Sequence, residues 1–459
     1  MTRHRLLGVV LVVLAAGLAT LAAQPTPEQR YFAWTDLPFP AAEYTERRAA
    51  LSRHLAASGG GIFLSPAAAG YSEGFTYRQL DTFWYLTGLE TPDAVVAVDS
   101  DRGRTIVYVP ARDARFENPS RRNDFPGRPL QADPELGRRA GLDDIRPRSR
   151  FESDLAAWVA EGRTLRVDAG TPALPPAETA DGAEPAPPLV HFAAWLRRHH
   201  ATAKVTSAFR DVALTRMVKS AAEIALLRRS ARLGVDGIAH AAGFVKDGVD
   251  ERTLEGELEA FYKRGGAARL PFASIVKSGP NSLWPWRVLA THNDRRNRAM
   301  KDGELVIFDV GCELDGYVSD TGRTFPVSGR FTDEQRALLE MEVGVADAII
   351  AAMRPGVTLL DVQRTAERAI PSAARPYMQT GSFFGHHLGL SSGDPFVDDV
   401  PLAPGMVITV EPWYYDHDRG ISVFTEDDIL ITAGGRENLT GHVARTPAGL
   451  EALMRQARR

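Results

Sequence analysis

The feature that most constrains the fold is the stretch of residues 305–325, LVIFDVGCELDGYVSDTGRTF, because it contains two apolar segments that each carry an aspartate. Asp309 lies inside the first segment, and Asp320 lies inside or directly after the second. Between the segments, Asp315 and Gly316 both tolerate a positive φ and are typical of a two-residue hairpin turn. The stretch therefore predicts a β-hairpin with one acid on each strand.

The predicted turn fixes which residues face each other across the hairpin. Asp309 lies opposite Gly322, Asp320 lies opposite Gly311, and the alternation of side chains along a strand puts both aspartates on one face. Diagonal neighbours of this kind lie about 7–8 Å apart at the backbone. Two carboxylates so placed repel each other, and burial among apolar neighbours makes them costly to ionise. A bound cation would resolve both problems.

Three more residues of metal-binding type follow in comparable settings. His386 lies in the glycine-flanked segment FFGHHLGL, Glu411 ends the apolar segment MVITVE, and Glu426 precedes the segment DDILIT. Four carboxylates and one imidazole form a hard, oxygen-rich set, which favours Mn²⁺ and leaves Co²⁺ and Zn²⁺ as alternatives. Five ligands are too many for one catalytic zinc ion and suit two divalent ions about 3.5–4 Å apart.

Length and composition limit the class of protein. A chain of 459 residues with mixed helix and strand patterns predicts an α/β (α+β) protein of two or three domains. The formal net charge of −4, without a long basic run, gives no indication of a nucleic-acid partner. The one cysteine, Cys312, excludes an intramolecular disulfide and is expected to be a packed core residue.

The first 23 residues predict a secretory signal peptide. Arg3 and Arg5 form a basic region, residues 6–21 are apolar, and small residues favour cleavage after Ala22 or Ala23. An uncleaved membrane anchor is the alternative, although the apolar run is short for a span. We expect an exported bacterial protein, periplasmic or secreted, without a stable membrane anchor after cleavage.

The remaining chain is predicted to form two domains, residues 24–212 and 213–459. Ser220 with Glu223, and Thr332 with Gln335, match the capping-box pattern and predict the starts of two long helices in the second domain. Strands are expected in its carboxyl-terminal part at residues 406–411, 422–426 and 428–432.

The five candidate ligands resemble the metal site of the pita-bread metallopeptidases, and among them that of aminopeptidase P, the Xaa-Pro aminopeptidase. The resemblance is carried by DVGCELDGYVSDTGRTFPVSGRFT, PGMVITVEP and EDDILIT, which contain four of the five ligands. In the first domain, YRQLDTFWYLTGLETPDAVV is similar to the accessory domain of that family. The resemblance implies a pita-bread catalytic domain after an amino-terminal mixed α/β accessory domain, and homo-oligomers. The implied ligands are Asp309, Asp320, His386, Glu411 and Glu426.

The same resemblance implies a reaction. The bond between an N-terminal residue and a following proline would be hydrolysed by a hydroxide that bridges two metal ions, so the expected partner is a peptide with proline second. Glu411 would accept and relay the proton, and His292, at the family's distance ahead of the first aspartate, would assist at the oxyanion. Trp284 and Trp286 are candidates for the wall of the proline pocket, with core packing as the alternative. His387 is a candidate substrate contact.

Several positions depart from the family's pattern. Ser382 and Gly393 stand where the family has histidines that contact substrate, Phe424 replaces an arginine, and Gly322 replaces a threonine. One donor to a developing oxyanion is worth roughly 10²–10³ in rate. Two alternatives to an Xaa-Pro aminopeptidase therefore stay open: an Xaa-Pro dipeptidase, and a catalytically weak or inactive peptide-binding protein on the same fold.

Overall fold

A computed structural model describes residues 37–69, 77–111, 134–142, 144–169, 188–283, 297–378 and 384–458. These residues form two compact units, the first ending at Thr206 and the second beginning at Ser207. The predicted domain boundary, between residues 212 and 213, falls within the first helix of the second unit. Five features of the sequence analysis lie outside the described residues: the signal peptide, Trp284, Trp286, His292 and Ser382.

The first unit is built on a mixed six-stranded sheet with strand order β4-β3-β2-β1-β5-β6. Strands β1, β2 and β3 pair antiparallel, whereas β5 pairs parallel to β1 and β4 parallel to β3. Apolar side chains of the sheet and of helices α4 and α5 form its core. The elements are α1 (Ala41–Ala57), β1 (Ile62–Pro66), α2 (Asp81–Thr87), β2 (Val95–Asp99), β3 (Arg104–Val109), α3 (Pro134–Ala140), β4 (Ile145–Pro147), α4 (Phe151–Ala160), β5 (Thr164–Val167), α5 (Pro188–His199) and β6 (Lys204–Ser207).

The second unit combines small antiparallel sheets with helices, and its largest core cluster includes side chains from both. Two three-stranded sheets have the strand orders β11-β8-β7 and β12-β15-β16, and two two-stranded sheets are formed by β13 with β14 and by β9 with β10. The elements are α6 (Phe209–Met217), α7 (Ala221–Ala241), α8 (Glu251–Arg264), β7 (Ile275–Ser278), β8 (Leu305–Val310), β9 (Glu313–Leu314), β10 (Tyr317–Val318), β11 (Thr321–Pro326), α9 (Asp333–Ala352), α10 (Leu359–Ala369), β12 (Val407–Val410), β13 (Trp413–Asp416), β14 (Ile421–Phe424), β15 (Asp427–Thr432), β16 (Gly435–Asn438) and α11 (Pro447–Ala457).

The predicted hairpin is confirmed. Strands β8 and β11 pair antiparallel with Asp309 opposite Gly322, and the short strands β9 and β10 continue the hairpin to its tip. At the tip, Asp315 has φ +48° and Gly316 has φ +83°, as a turn with two positive φ angles requires. Asp315 is therefore a turn residue.

Helix starts in the second unit also follow the sequence. Reciprocal capping boxes begin α7 at Ser220 and Glu223, and α9 at Thr332 and Gln335. Each box satisfies backbone N–H groups that have no partner within the first turn of the helix. The strand β13, directly after Pro412, was not predicted, because a proline normally interrupts a ladder.

Within the described ranges, no helix combines the length and the apolar character that crossing a membrane requires.

Candidate metal centre

The hairpin supplies the first two acids of the site. Asp309 on β8 and Asp320, directly before β11, are both buried, with 2% and 4% of their surface exposed. Gly311 allows the strands to approach closely, because a Cβ atom there would lie 2.8 Å from Pro271 and closer still to the carbonyl oxygen of Ser319. The hairpin thus holds two carboxylates inside the core.

A second pair of backbone segments positions His386 and Glu411. The segment of residues 384–388 runs beside β12, where the Thr409 N–H donates to the carbonyl of His386 at 2.9 Å and the Glu411 N–H donates to that of Phe384 at 3.1 Å. Gly385 permits the approach, since it has φ +149° and a Cβ atom would overlap the carbonyl of Thr409. Backbone hydrogen bonds therefore fix the imidazole relative to the carboxylate.

The imidazole of His386 lies between two acids. Its Nε2 atom is 3.4 Å from Oδ2 of Asp320 and 3.4 Å from Oε1 of Glu411. Its Nδ1 atom lies 3.2 Å from the carbonyl oxygen of His387. A proton on Nδ1 donated to that carbonyl leaves Nε2 free as a ligand, which is the usual way in which a protein orients a metal-binding histidine.

Backbone contacts to the hairpin hold Glu426, which lies between β14 and β15. Gly322 and Glu426 exchange two backbone hydrogen bonds, of 3.0 and 3.2 Å. The guanidinium of Arg323 is fully buried, donates to the carbonyl of Glu426 at 2.7 Å and pairs with Asp427 at 2.9 Å. Glu426 therefore joins the cluster from a segment that is far from the hairpin in sequence.

The arrangement fits a bound cation. Ligand atoms of Asp320, His386 and Glu426 all lie within 4.8 Å of one another. No donor in the described part of the chain reaches Oδ2 of Asp309, Oδ1 of Asp320 or either carboxylate oxygen of Glu426, although all four atoms are buried. Buried acceptors without donors are costly, and a hard divalent cation is the partner that such oxygens suit.

The pKa values express the same cost. Burial, followed by the charges of neighbouring acids, raises the pKa of Asp309 and of Glu426 well above their ordinary values. Burial also raises the pKa of Glu411 to about 7, against the opposing charge of His386. Burial lowers the pKa of His386, but the hydrogen bond and charge of Asp320 outweigh it and raise that pKa to about 9. A cation would favour the ionised acids and the neutral imidazole.

The structure places His387 in the core instead of at the site surface. Its ring has no exposed surface and stacks on Phe396, with the centroids 5.1 Å apart. Burial lowers the pKa of His387 to about 3, so the ring is neutral at physiological pH. The predicted substrate contact of His387 finds no support in this position. Cys312 is likewise fully buried, as expected of a packed core residue.

The departures from the family's pattern that lie in the described residues differ in setting. Gly393 is exposed, and a Cβ atom there would meet open space. Phe424 is fully buried at the end of β14 and pairs across the sheet with Trp413.

Sequence reasoning did not identify three residues that support the cluster. The hydroxyl of Thr409 accepts the His386 N–H at 3.0 Å and lies 3.5 Å from Oε1 of Glu411. The indole N–H of Trp413 donates to Oε2 of Glu411 at 3.4 Å. Arg323 holds the Glu426 backbone as described above. Their signal in the sequence is their spacing of two or three residues from a candidate ligand.

Comparisons with known proteins identify the family of the chain. The model of metallopeptidase family M24 matches residues 225–433, and that of the aminopeptidase P N-terminal domain matches residues 44–166. The Xaa-Pro aminopeptidase of Escherichia coli (strain K12) is 30% identical, with 91% of this chain and 98% of that protein covered. Xaa-Pro aminopeptidase 3 of Rattus norvegicus is 30% identical, with 78% and 73% covered.

Solved structures resemble this one over nearly the same span. Aminopeptidase PepP of Pseudomonas aeruginosa superposes with a TM-score of 0.72 at 28% identity, covering 91% of this chain and 99% of that one. Aminopeptidase P of E. coli with the inhibitor Pro-Leu gives 0.72 at 28%, covering 92% and 99%. The predicted family and fold class are thereby confirmed: the chain belongs to metallopeptidase family M24, with an aminopeptidase P accessory domain ahead of a pita-bread catalytic domain.

Proposed function

We propose that this protein is an Xaa-Pro aminopeptidase, which hydrolyses the bond between an N-terminal residue and a following proline. The observation that carries the proposal is the buried cluster of acids around His386, in which four carboxylate oxygens, on Asp309, Asp320 and Glu426, lack donors in the described structure. The two relatives named above are Xaa-Pro aminopeptidases that align with this chain over most of their length.

The cluster would hold two divalent ions, and the hardness of its donors favours Mn²⁺. When bound, such ions supply a water of lowered pKa and an electrophile for the peptide carbonyl. The five candidate ligands are Asp309, Asp320, His386, Glu411 and Glu426.

The chain's own groups then have distinct tasks. Glu411 is the proton acceptor, since its carboxylate lies 3.4 Å from the His386 imidazole among the candidate ligands and can take up a proton there and return it. The His387 carbonyl keeps the His386 imidazole oriented toward the acids. Acids of the cluster also attract the free ammonium group of a peptide, which selects for an unblocked N-terminus.

The proposal includes export and assembly. The signal peptide predicted in residues 1–23 leads us to propose a periplasmic or secreted enzyme that begins near Gln24. Resemblance to the family leads us to propose a homo-oligomer.

The test uses the chain from Gln24, loaded with Mn²⁺, and follows the release of the first residue from an Xaa-Pro-Yaa peptide by mass spectrometry. Glu411→Gln should abolish cleavage because it removes the proton acceptor. Glu340→Gln, an exposed position on α9, is the matched control and should leave the rate unchanged.

Peptide length separates the alternatives. A tripeptide cleaved when the Xaa-Pro dipeptide is not supports the aminopeptidase, and the reverse supports an Xaa-Pro dipeptidase. Absence of cleavage over a panel of lengths, with two metal ions bound per chain, would refute peptidase activity and favour a peptide-binding role. The replacement of a family arginine by Phe424 motivates that second candidate.

A further inference from the structure

Three aromatic rings form a stack beside the metal centre. Trp413 on β13 and Phe424 on β14 pair across the sheet, and their ring centroids lie 3.6 Å apart at an angle of 23°. The Tyr415 ring also stacks on the Trp413 indole, with the centroids 5.4 Å apart and an angle of 14° between the rings. Side chains of Ile275 and Ile307 pack against this group, so the indole is held tightly in one orientation.

Gly322 makes room for the stack. A Cβ atom on Gly322 would lie 2.5 Å from Cδ1 of Phe424 and closer still to its Cε1 atom. Real Cβ atoms do not approach that closely, so any larger residue at this position would displace the ring. The glycine and the phenylalanine, both departures from the family's pattern, therefore share one space and depend on each other.

The stack reaches the metal centre through one hydrogen bond. The indole Nε1–H of Trp413 donates to Oε2 of Glu411 at 3.4 Å, and the Thr409 hydroxyl lies 3.5 Å from the other oxygen. Trp413 is 2% exposed, so water does not compete for this contact. The carboxylate is thus held by a donor on each oxygen, one of which is fixed by stacking.

We propose that Trp413 is a positioning residue for Glu411, and that Phe424 seated over Gly322 is what holds its indole in place. The inference rests on the metal centre of the proposed function. In this chain, a stack of aromatic rings would orient the carboxylate of the proton acceptor, and the pair of Gly322 and Phe424 makes room for that stack.

The first experiment replaces Trp413 by Phe, which keeps a stacked ring and removes the indole N–H. Removal of a group that orients a ligand typically weakens metal affinity or activity 10–100-fold. We expect Trp413→Phe to raise the Kd for Co²⁺ about 10-fold in calorimetric titration, to alter the visible absorption spectrum of the bound Co²⁺, and to lower kcat more than it raises KM. Trp158→Phe, the same change at a buried tryptophan of the first unit, is the matched control.

A second pair of variants tests the seat of the stack. Gly322→Ala should weaken Co²⁺ binding because its methyl group displaces the Phe424 ring. Gly322→Ala combined with Phe424→Leu removes the overlap with the ring but not the 2.9 Å approach of the Cβ atom to the Phe308 carbonyl oxygen. It should therefore recover part of the Co²⁺ affinity that Gly322→Ala alone loses. Circular dichroism establishes whether each variant is folded. If Gly322→Ala does not fold, the double variant is compared with the wild type instead.

The outcomes separate the two proposals. Wild-type Co²⁺ affinity, spectrum and kcat in Trp413→Phe would overturn the positioning role, as would equal changes in Trp158→Phe. A wild-type chain that cleaves no peptide, but whose Co²⁺ spectrum changes in Trp413→Phe, would support positioning while refuting the proposed activity. If the wild type cleaves the peptide and Trp413→Phe has unchanged Co²⁺ binding and kcat, the proposed activity is supported and the positioning role is refuted.

Discussion

Replacing Glu411 by Gln should stabilise the metal-free protein at neutral and alkaline pH, although the same change should abolish catalysis. Glu411 is buried beside other acids, and burial raises its pKa from 4.5 to about 7. An acid whose pKa is higher in the folded state binds its proton more tightly there than in the unfolded chain. The metal-free wild type should therefore lose stability as the pH rises from 4.5 to beyond 7, whereas Glu411→Gln lacks this contribution.

The size of the effect follows from the pKa change. A rise from 4.5 to about 7 corresponds to roughly 3 kcal/mol, at about 1.4 kcal/mol for each pH unit. For a folded unit as large as the second one, each kcal/mol of unfolding free energy changes the Tm by roughly 2–4 °C. The Tm of Glu411→Gln, measured relative to the wild type, should thus rise by roughly 6–12 °C between pH 4.5 and pH 8.

The assay is thermal unfolding in the presence of a chelator at several pH values between 4.5 and 8. Because only the change with pH matters, hydrogen bonds that glutamine fails to make shift all points equally and do not affect the comparison. Glu340→Gln, exposed on α9, should run parallel to the wild type. Adding Mn²⁺ should reverse the order, since the wild type then has the better ligand. Parallel curves for wild type and Glu411→Gln without metal would refute the reasoning.

Two further predictions concern buried ion pairs. Arg323→Met leaves buried Asp427 with Arg445, at 3.2 Å, as its remaining cationic partner, and should lower the free energy of unfolding in denaturant titration by up to about 3–5 kcal/mol. A smaller loss in Arg323→Met with Asp427→Leu would identify the weakened pairing of the buried charge as the cause, and equal losses would contradict it. Asp394 is buried beside Arg216 and Lys219, whose charges outweigh the burial that raises its pKa and hold that pKa below its usual value. The contribution of this carboxylate to stability is thus lost as the pH falls below about 4. Asp394→Asn should therefore have a lower Tm than the wild type at pH 7 and should lose less Tm on acidification. An equal loss of Tm on acidification in both proteins would argue against this reasoning.

Features that depend on neighbouring residues were predictable from the sequence. The turn at Asp315 and Gly316 fixes the register of the hairpin, and the register places Asp309 opposite Gly322. Capping boxes locate helix starts because both partners lie within one turn of helix. Local rules of this kind need no knowledge of the rest of the fold.

Features that depend on distant packing were not predictable. Two adjacent histidines in an extended segment point to opposite sides, so only one can reach the acids, and the core contact with Phe396 that receives His387 comes from a later loop. The space shared by Gly322 and Phe424 joins positions about one hundred residues apart. Without the fold, each of these two residues appears as an unrelated substitution.

The backbone ladder between residues 384–388 and β12 has a consequence for how such a protein can change over time. Apart from Gly385, where a Cβ atom would overlap the Thr409 carbonyl, any residue except proline can make these backbone hydrogen bonds. The spacing between the His386 imidazole and the Glu411 carboxylate therefore depends on few of the side chains around them. Mutations can then exchange the groups that meet a substrate while the ligands stay in register. Related proteins with this backbone arrangement can thus acquire new peptide specificities while they keep the metal-binding residues in place.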